Sequence, residues 1–114
     1  MSLLSILKIV AALLTVGTGL LALVRPTAVY RFTGLTAGGA RGLSEIRAIF
    51  GGLFIALGIA PLLLGATAYT VLGAGYLAIA AARLASIFID RSKDSSNLIS
   101  LAIEIVCGAI LILR

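Results

Sequence analysis

Four apolar runs, set apart by short polar or glycine-bearing stretches, organise this sequence. The first, Leu3–Val24, contains a single charge, Lys8. Arg25-Pro26 ends it, because a cation belongs at the membrane interface and proline disfavours helix in the residue before it. Lys8 sits inside the run, no basic segment precedes it and no small-x-small site closes it, so it reads as an uncleaved transmembrane helix rather than a secretory signal. Residues 25–42 follow as an interfacial loop bearing Arg25, Arg31 and Arg41, with a short helix expected around Ala28–Phe32.

From Ala48 to Ala82 the chain runs 35 residues without a charge. One helix of that length would reach about 52 Å, against roughly 30 Å of hydrocarbon, so the segment must fold back on itself. Pro61 and Gly65 place the reversal at about 61–68, with a second helix over about 43–60 and a third over about 67–89. A charged turn from Asp90 to Ser96 leads into a fourth helix over about 97–113, interrupted by Glu104 alone. The expected fold is a single all-α domain over residues 1–114, an integral membrane bundle of four antiparallel transmembrane helices.

Composition agrees with this pattern. Hydrophobic residues make up 61% and charged residues 11%, at a mean hydropathy of +1.24. A soluble chain this short exposes more surface than so few charges can cover. Histidine is absent and Cys107 is the one cysteine, which excludes imidazole catalysis, histidine-based haem or metal sites and an internal disulfide. Neither a phosphate-binding Gly-Lys-Ser/Thr loop nor a Gly-x-Ser-x-Gly elbow occurs. Hence no cofactor and no metal are expected. The net charge of +5 comes from cations that flank apolar runs, so anionic lipid rather than nucleic acid is the expected counterpart.

The cations also orient the chain. Arg25, Arg31, Arg41, Arg47, Arg91 and Lys93 lie on the side of the first and third loops, and only Lys8 and Arg114 lie on the other. Positive charge marks the cytoplasmic face, so residues 25–42 and 90–96 are expected in the cytoplasm and both termini outside, in a bacterial inner membrane.

Small or polar residues recur at every fourth position in each helix. The second shows Ser44, Ala48, Gly52, Ala56 and Ala60, and the third Ala74, Ala78, Ala82 and Ser86. The first shows Ala11, Thr15 and Gly19, and the fourth Ser100, Glu104 and Gly108. Such faces allow close backbone approach where water does not drive helices together, so these four are expected to face inward.

Charges inside a span are costly and face protein rather than lipid. Arg83 lies seven residues before Asp90, and Glu104 seven after Asn97, so an antiparallel pair of helices brings both to one depth, roughly 10 Å into the membrane. An Arg83–Glu104 ion pair is expected. Glu45, Arg47 and Asp90 start or end helices on the same side, which predicts a cluster of Glu45, Arg47, Arg83, Asp90 and Glu104. Two roles remain open for it. It is either a polar staple that fixes helix register, or a site where Arg47 and Arg83 hold an anionic headgroup.

Taken in order, Arg25-Pro26, Gly34, Glu45-x-Arg47-Ala48-x-x-Gly51-Gly52, Arg83-x-x-Ser86-x-x-x-Asp90 and Glu104 form a pattern that resembles domain of unknown function 4345, a group of small bacterial membrane proteins. The resemblance spans nearly the whole chain and implies four transmembrane helices and no established reaction. The chain departs from the pattern at Arg91, where glycine is expected after the aspartate. Its length also resembles that of small multidrug-resistance transporters, whose coupling carboxylate lies in the first helix; here that helix holds Lys8 and no acid. Glu45 and Asp90 form the one acid/base pair on offer, with nothing to poise either. The expected function is therefore a non-catalytic lipid-binding protein, or an accessory protein of a membrane complex or homo-oligomer. The alternative is a small oligomeric transporter or channel.

Overall fold

The computed structural model describes residues 1–114, and no strand occurs among them. Four helices are long and apolar enough to cross a membrane: α1, Leu3–Val24; α2, Ala40–Leu64; α3, Ala66–Ile89; and α4, Ser95–Ile112. Ser2 caps α1 by accepting the Ser5 N–H at 3.1 Å, and Arg25 leaves the helix in a non-helical conformation before Pro26. The short helix expected around Ala28–Phe32 is present and slightly longer: a 3₁₀ turn over Pro26–Val29 continues into a single helical turn, Tyr30–Thr33. Gly34 ends that turn in the left-handed conformation, at φ 74°.

α2 differs from expectation at both ends. It starts at Ala40, within the expected loop, and runs through Pro61 to Leu64, so the reversal is the single residue Gly65 rather than residues 61–68. The solvent explains this. In hydrocarbon every exposed backbone group is costly, so losing the one hydrogen bond that proline cannot make is cheaper than unwinding a turn. Gly65, at φ 85° and ψ −148°, donates its N–H to the Pro61 carbonyl at 2.9 Å and turns the chain directly into α3. That backbone conformation is open to glycine and few other residues.

The middle of α2, Ile46–Leu53, is wound as a π-helix between α-helical segments at Ala40–Glu45 and Phe54–Leu64. Its wider turn shifts which side faces inward. Ile46 and Gly51, five residues apart, are both buried, and Gly58 and Pro61 continue that face. The expected ridge is therefore on the wrong side: Ala48, Gly52 and Ala56 are exposed and Ala60 is half-buried. In α3 the expected ridge also turns outward. Ala74, Ala78 and Ala82 are exposed, whereas Leu72, Gly73, Ala80 and Ile87 are buried. The expectation holds for α1, where Ala11, Thr15 and Gly19 are buried, and for α4, where Glu104 and Gly108 are buried and Ser100 is partly so.

The helices pack as two antiparallel hairpins, α1 with α2 and α3 with α4, joined by α2–α3 and α1–α4 contacts. Each hairpin closes on glycine. A Cβ on Gly58 would lie 2.7 Å from the Ala12 carbonyl oxygen, and one on Gly19 2.8 Å from that of Gly51. A Cβ on Gly73 would lie 3.0 Å from the Gly108 carbonyl oxygen. Between the hairpins, Ala11, Ala12, Leu72 and Leu111 form one apolar core; nearer the interfacial segment, Ala22, Val29 and Ile46 form another. The molecule is flattened, 44 × 31 × 17 Å, and its long axis matches the thickness of a bilayer with its headgroups.

Candidate functional site

Arg83 meets Glu104 as a two-pronged pair. Nε donates to Oε1 and Nη2 to Oε2, both at 2.7 Å. This side-by-side geometry is the strongest arrangement of the two groups, because two charge-assisted hydrogen bonds fix the orientation as well as the distance. Nη1 donates to Asn97 Oδ1 at 2.7 Å, and Asn97 Nδ2 donates to the carbonyl and hydroxyl oxygens of Ser92, each at 2.9 Å. The network thus ties α3 to α4 and to the turn between them. Glu104 is the most deeply buried charged residue, at 9% exposure.

Asn97 and Ser92 were not among the expected site residues. Asn97 is seven residues before Glu104, which places both on one face of α4. That spacing was a usable signal; the position of Ser92 depends on the turn and was not legible. A second polar contact lies deeper. Thr15 donates to the Ala11 carbonyl at 2.8 Å, which commits its one proton, so the Tyr76 hydroxyl donates to Thr15. Tyr76 precedes Arg83 by seven residues and shares its face of α3.

The expected five-residue cluster does not assemble. Glu45 is exposed and pairs with Arg41 at 2.9 Å, one helical turn away, while its neighbour Ile46 is the residue that points inward. Asp90 accepts a hydrogen bond from Ser86 at 2.6 Å at the exposed end of α3. Arg47 is exposed and reaches across to α1, where Nη1 donates to the Leu23 carbonyl at 2.6 Å. A cation there complements the negative end of α1 and satisfies a carbonyl left free by the end of the helix. Only Arg83 and Glu104, of the five, touch one another.

The turn after Asp90 shows why glycine is expected at the position of Arg91. Arg91 adopts φ 54°, a left-handed conformation that glycine takes freely and other residues take at a cost. At the opposite end of the bundle, the Lys8 ammonium lies over the Tyr69 ring, 5.9 Å from its centre.

Several openings flank this framework, and one of about 410 Å³ lies against Arg83 itself, beside Ser86, Ser92 and Asn97. A cleft of about 180 Å³ lies between α1, α2 and α3, with Phe54, Leu57, Val71, Leu72 and Ile79 around the Thr15–Tyr76 contact. A cavity of about 380 Å³ lies under the interfacial segment, against Pro26, Tyr30, Leu35, Leu43 and Ile46. A groove of about 520 Å³ follows the outward side of α2, beside Arg47.

No curated protein and no solved structure matches the chain. A family model does match, over residues 3–114: Domain of unknown function (DUF4345). A small four-helix chain with membrane-length spans, matched to that model over nearly its whole length, belongs to the DUF4345 family.

Proposed function

We propose that this protein is a non-catalytic, lipid-binding component of a bacterial inner membrane, acting alone, as a homo-oligomer or as an accessory subunit of a larger membrane complex. The observation that carries this reading is the cleft between α1, α2 and α3. It lies along membrane-length helices, has mainly hydrophobic side chains and holds one hydroxyl pair, Thr15 and Tyr76. A molecule entering it from the side comes from the acyl layer, and apolar chains match its walls. Arg83 and Glu104 support the reading as a staple: each occupies the charge of the other and holds α3 against α4 while the outward surfaces contact lipid.

Native mass spectrometry of protein extracted in the mildest detergent should show a retained lipid or a partner subunit. A bare monomer under those conditions would count against the proposal. The transporter alternative makes a different forecast: flux of a solute into liposomes that disappears with Arg83→Ala.

A further inference from the structure

Arg47 differs from Arg83 in one respect that matters for lipid. The two ion pairs of the molecule are Arg41–Glu45 and Arg83–Glu104, so Arg47 lies in a membrane-length helix with no carboxylate at ion-pair distance. One of its nitrogens is engaged by the Leu23 carbonyl, which leaves other N–H groups of the guanidinium without a protein acceptor. A positive charge at the margin of an apolar layer calls for a counter-charge, and the bilayer itself can supply one.

The surface below Arg47 is shaped for the rest of such a molecule. Ser44, Ala48 and Gly52 line the outward groove of about 520 Å³, with Leu23 and Leu43 as its apolar walls. This is the small-residue ridge that the π-helical register turns away from α1. A Cβ at Gly52 would come no closer than 4.0 Å to any neighbour, the Arg47 carbonyl oxygen, so the groove is open there. The groove runs from Ala40, at the start of α2, past Arg47 to Gly52 near the middle of the helix, the direction in which an acyl chain descends from its headgroup.

We propose that this groove binds an anionic phospholipid of the adjoining leaflet, with its phosphodiester on Arg47 and Ser44 and one acyl chain along Ala48 and Gly52. The inference rests on the lipid-binding reading above and adds to it a headgroup charge and a location.

The test uses the whole protein in nanodiscs of equal phosphatidylglycerol and phosphatidylcholine, with retained lipid read by native mass spectrometry. Wild-type protein should retain phosphatidylglycerol over phosphatidylcholine by about fivefold, the factor that one basic residue near a membrane surface contributes. Arg47→Gln should remove the preference and Arg47→Lys should restore it. Gly52→Leu, which fills the groove without touching the charge, should lower retention while leaving the melting temperature in place. Equal retention of the two lipids by wild-type protein would overturn this inference and leave the broader reading standing, as would an anionic preference that survives both Arg47→Gln and Gly52→Leu. Failure to retain any lipid or partner subunit would overturn both.

Discussion

Arg83 and Glu104 show how a charge is tolerated inside an apolar span: each is the other's counter-ion, and both oxygens of the carboxylate are engaged. Removing one partner leaves the other desolvated. Arg83→Ala should therefore lower stability by about 3–5 kcal/mol, the usual cost of stranding one member of a buried pair. Replacing both, Arg83→Leu with Glu104→Leu, should cost less than half as much, because no charge is left behind. Thermal unfolding in detergent compares the two; equal losses would show that the pair contributes nothing of its own. Arg91 is the opposite case, a residue working against its backbone. At φ 54° it holds a conformation that glycine adopts without strain. Arg91→Gly should stabilise the protein by about 1 kcal/mol, read as a rise in melting temperature.

At the scale of the helix, glycines divide into those that admit a neighbour and those that do not. Gly19 and Gly58 lie where α1 and α2 touch backbone to backbone, and a methyl group at either would fall within 3 Å of main-chain atoms. Gly19→Ala and Gly58→Ala should each destabilise by about 1–3 kcal/mol, the cost of overpacking a closed interface. Gly52→Ala should be neutral, since its side of α2 is open. Denaturation of the three variants in one detergent tests the assignment of faces. A large loss at Gly52 alone would restore the ridge expected from fourfold spacing. The reason spacing misleads here is local: an α-helix repeats every 3.6 residues, whereas the π-helical stretch over Ile46–Leu53 needs more residues per turn. Beyond it, each residue points somewhere a regular α-helix would not send it.

For the whole molecule, the topology and the distribution of cations make a joint prediction. Four spans put both termini on one side, and six of the eight cations assigned to a membrane face, Arg25, Arg31, Arg41, Arg47, Arg91 and Lys93, lie on the other. In a bacterial inner membrane the termini are expected outside. A periplasm-active reporter fused after Arg114 should be active, and one inserted in residues 90–96 should be silent; the reverse result would invert the orientation. The flattened cross-section leaves many large apolar side chains exposed on all four spans, among them Leu14, Leu63, Phe88 and Val106. Such a surface suits lipid or a neighbouring membrane subunit and is far beyond what a water-soluble monomer exposes.

The number of membrane-length helices, their ends to within a few residues at most boundaries, and the meeting of Arg83 with Glu104 were legible along the chain alone. Each follows from a strong one-dimensional constraint: the thickness of the apolar layer, the expense of a charge within it, and equal distances from one turn. The spacing also placed the inward faces of α1 and α4 but not that of α3, although all three are regular α-helices. Rotation of α2 and α3 about their axes was not legible there and came from packing. The π-helical turn of α2, the passage of that helix through Pro61 and the choice of Gly73 over Ala74 as the contact with α4 depend on how backbones fit together in three dimensions. Because rotation sets which charges converge, it separated Glu45, Arg47 and Asp90 from the buried pair and left Arg47 exposed against the end of α1.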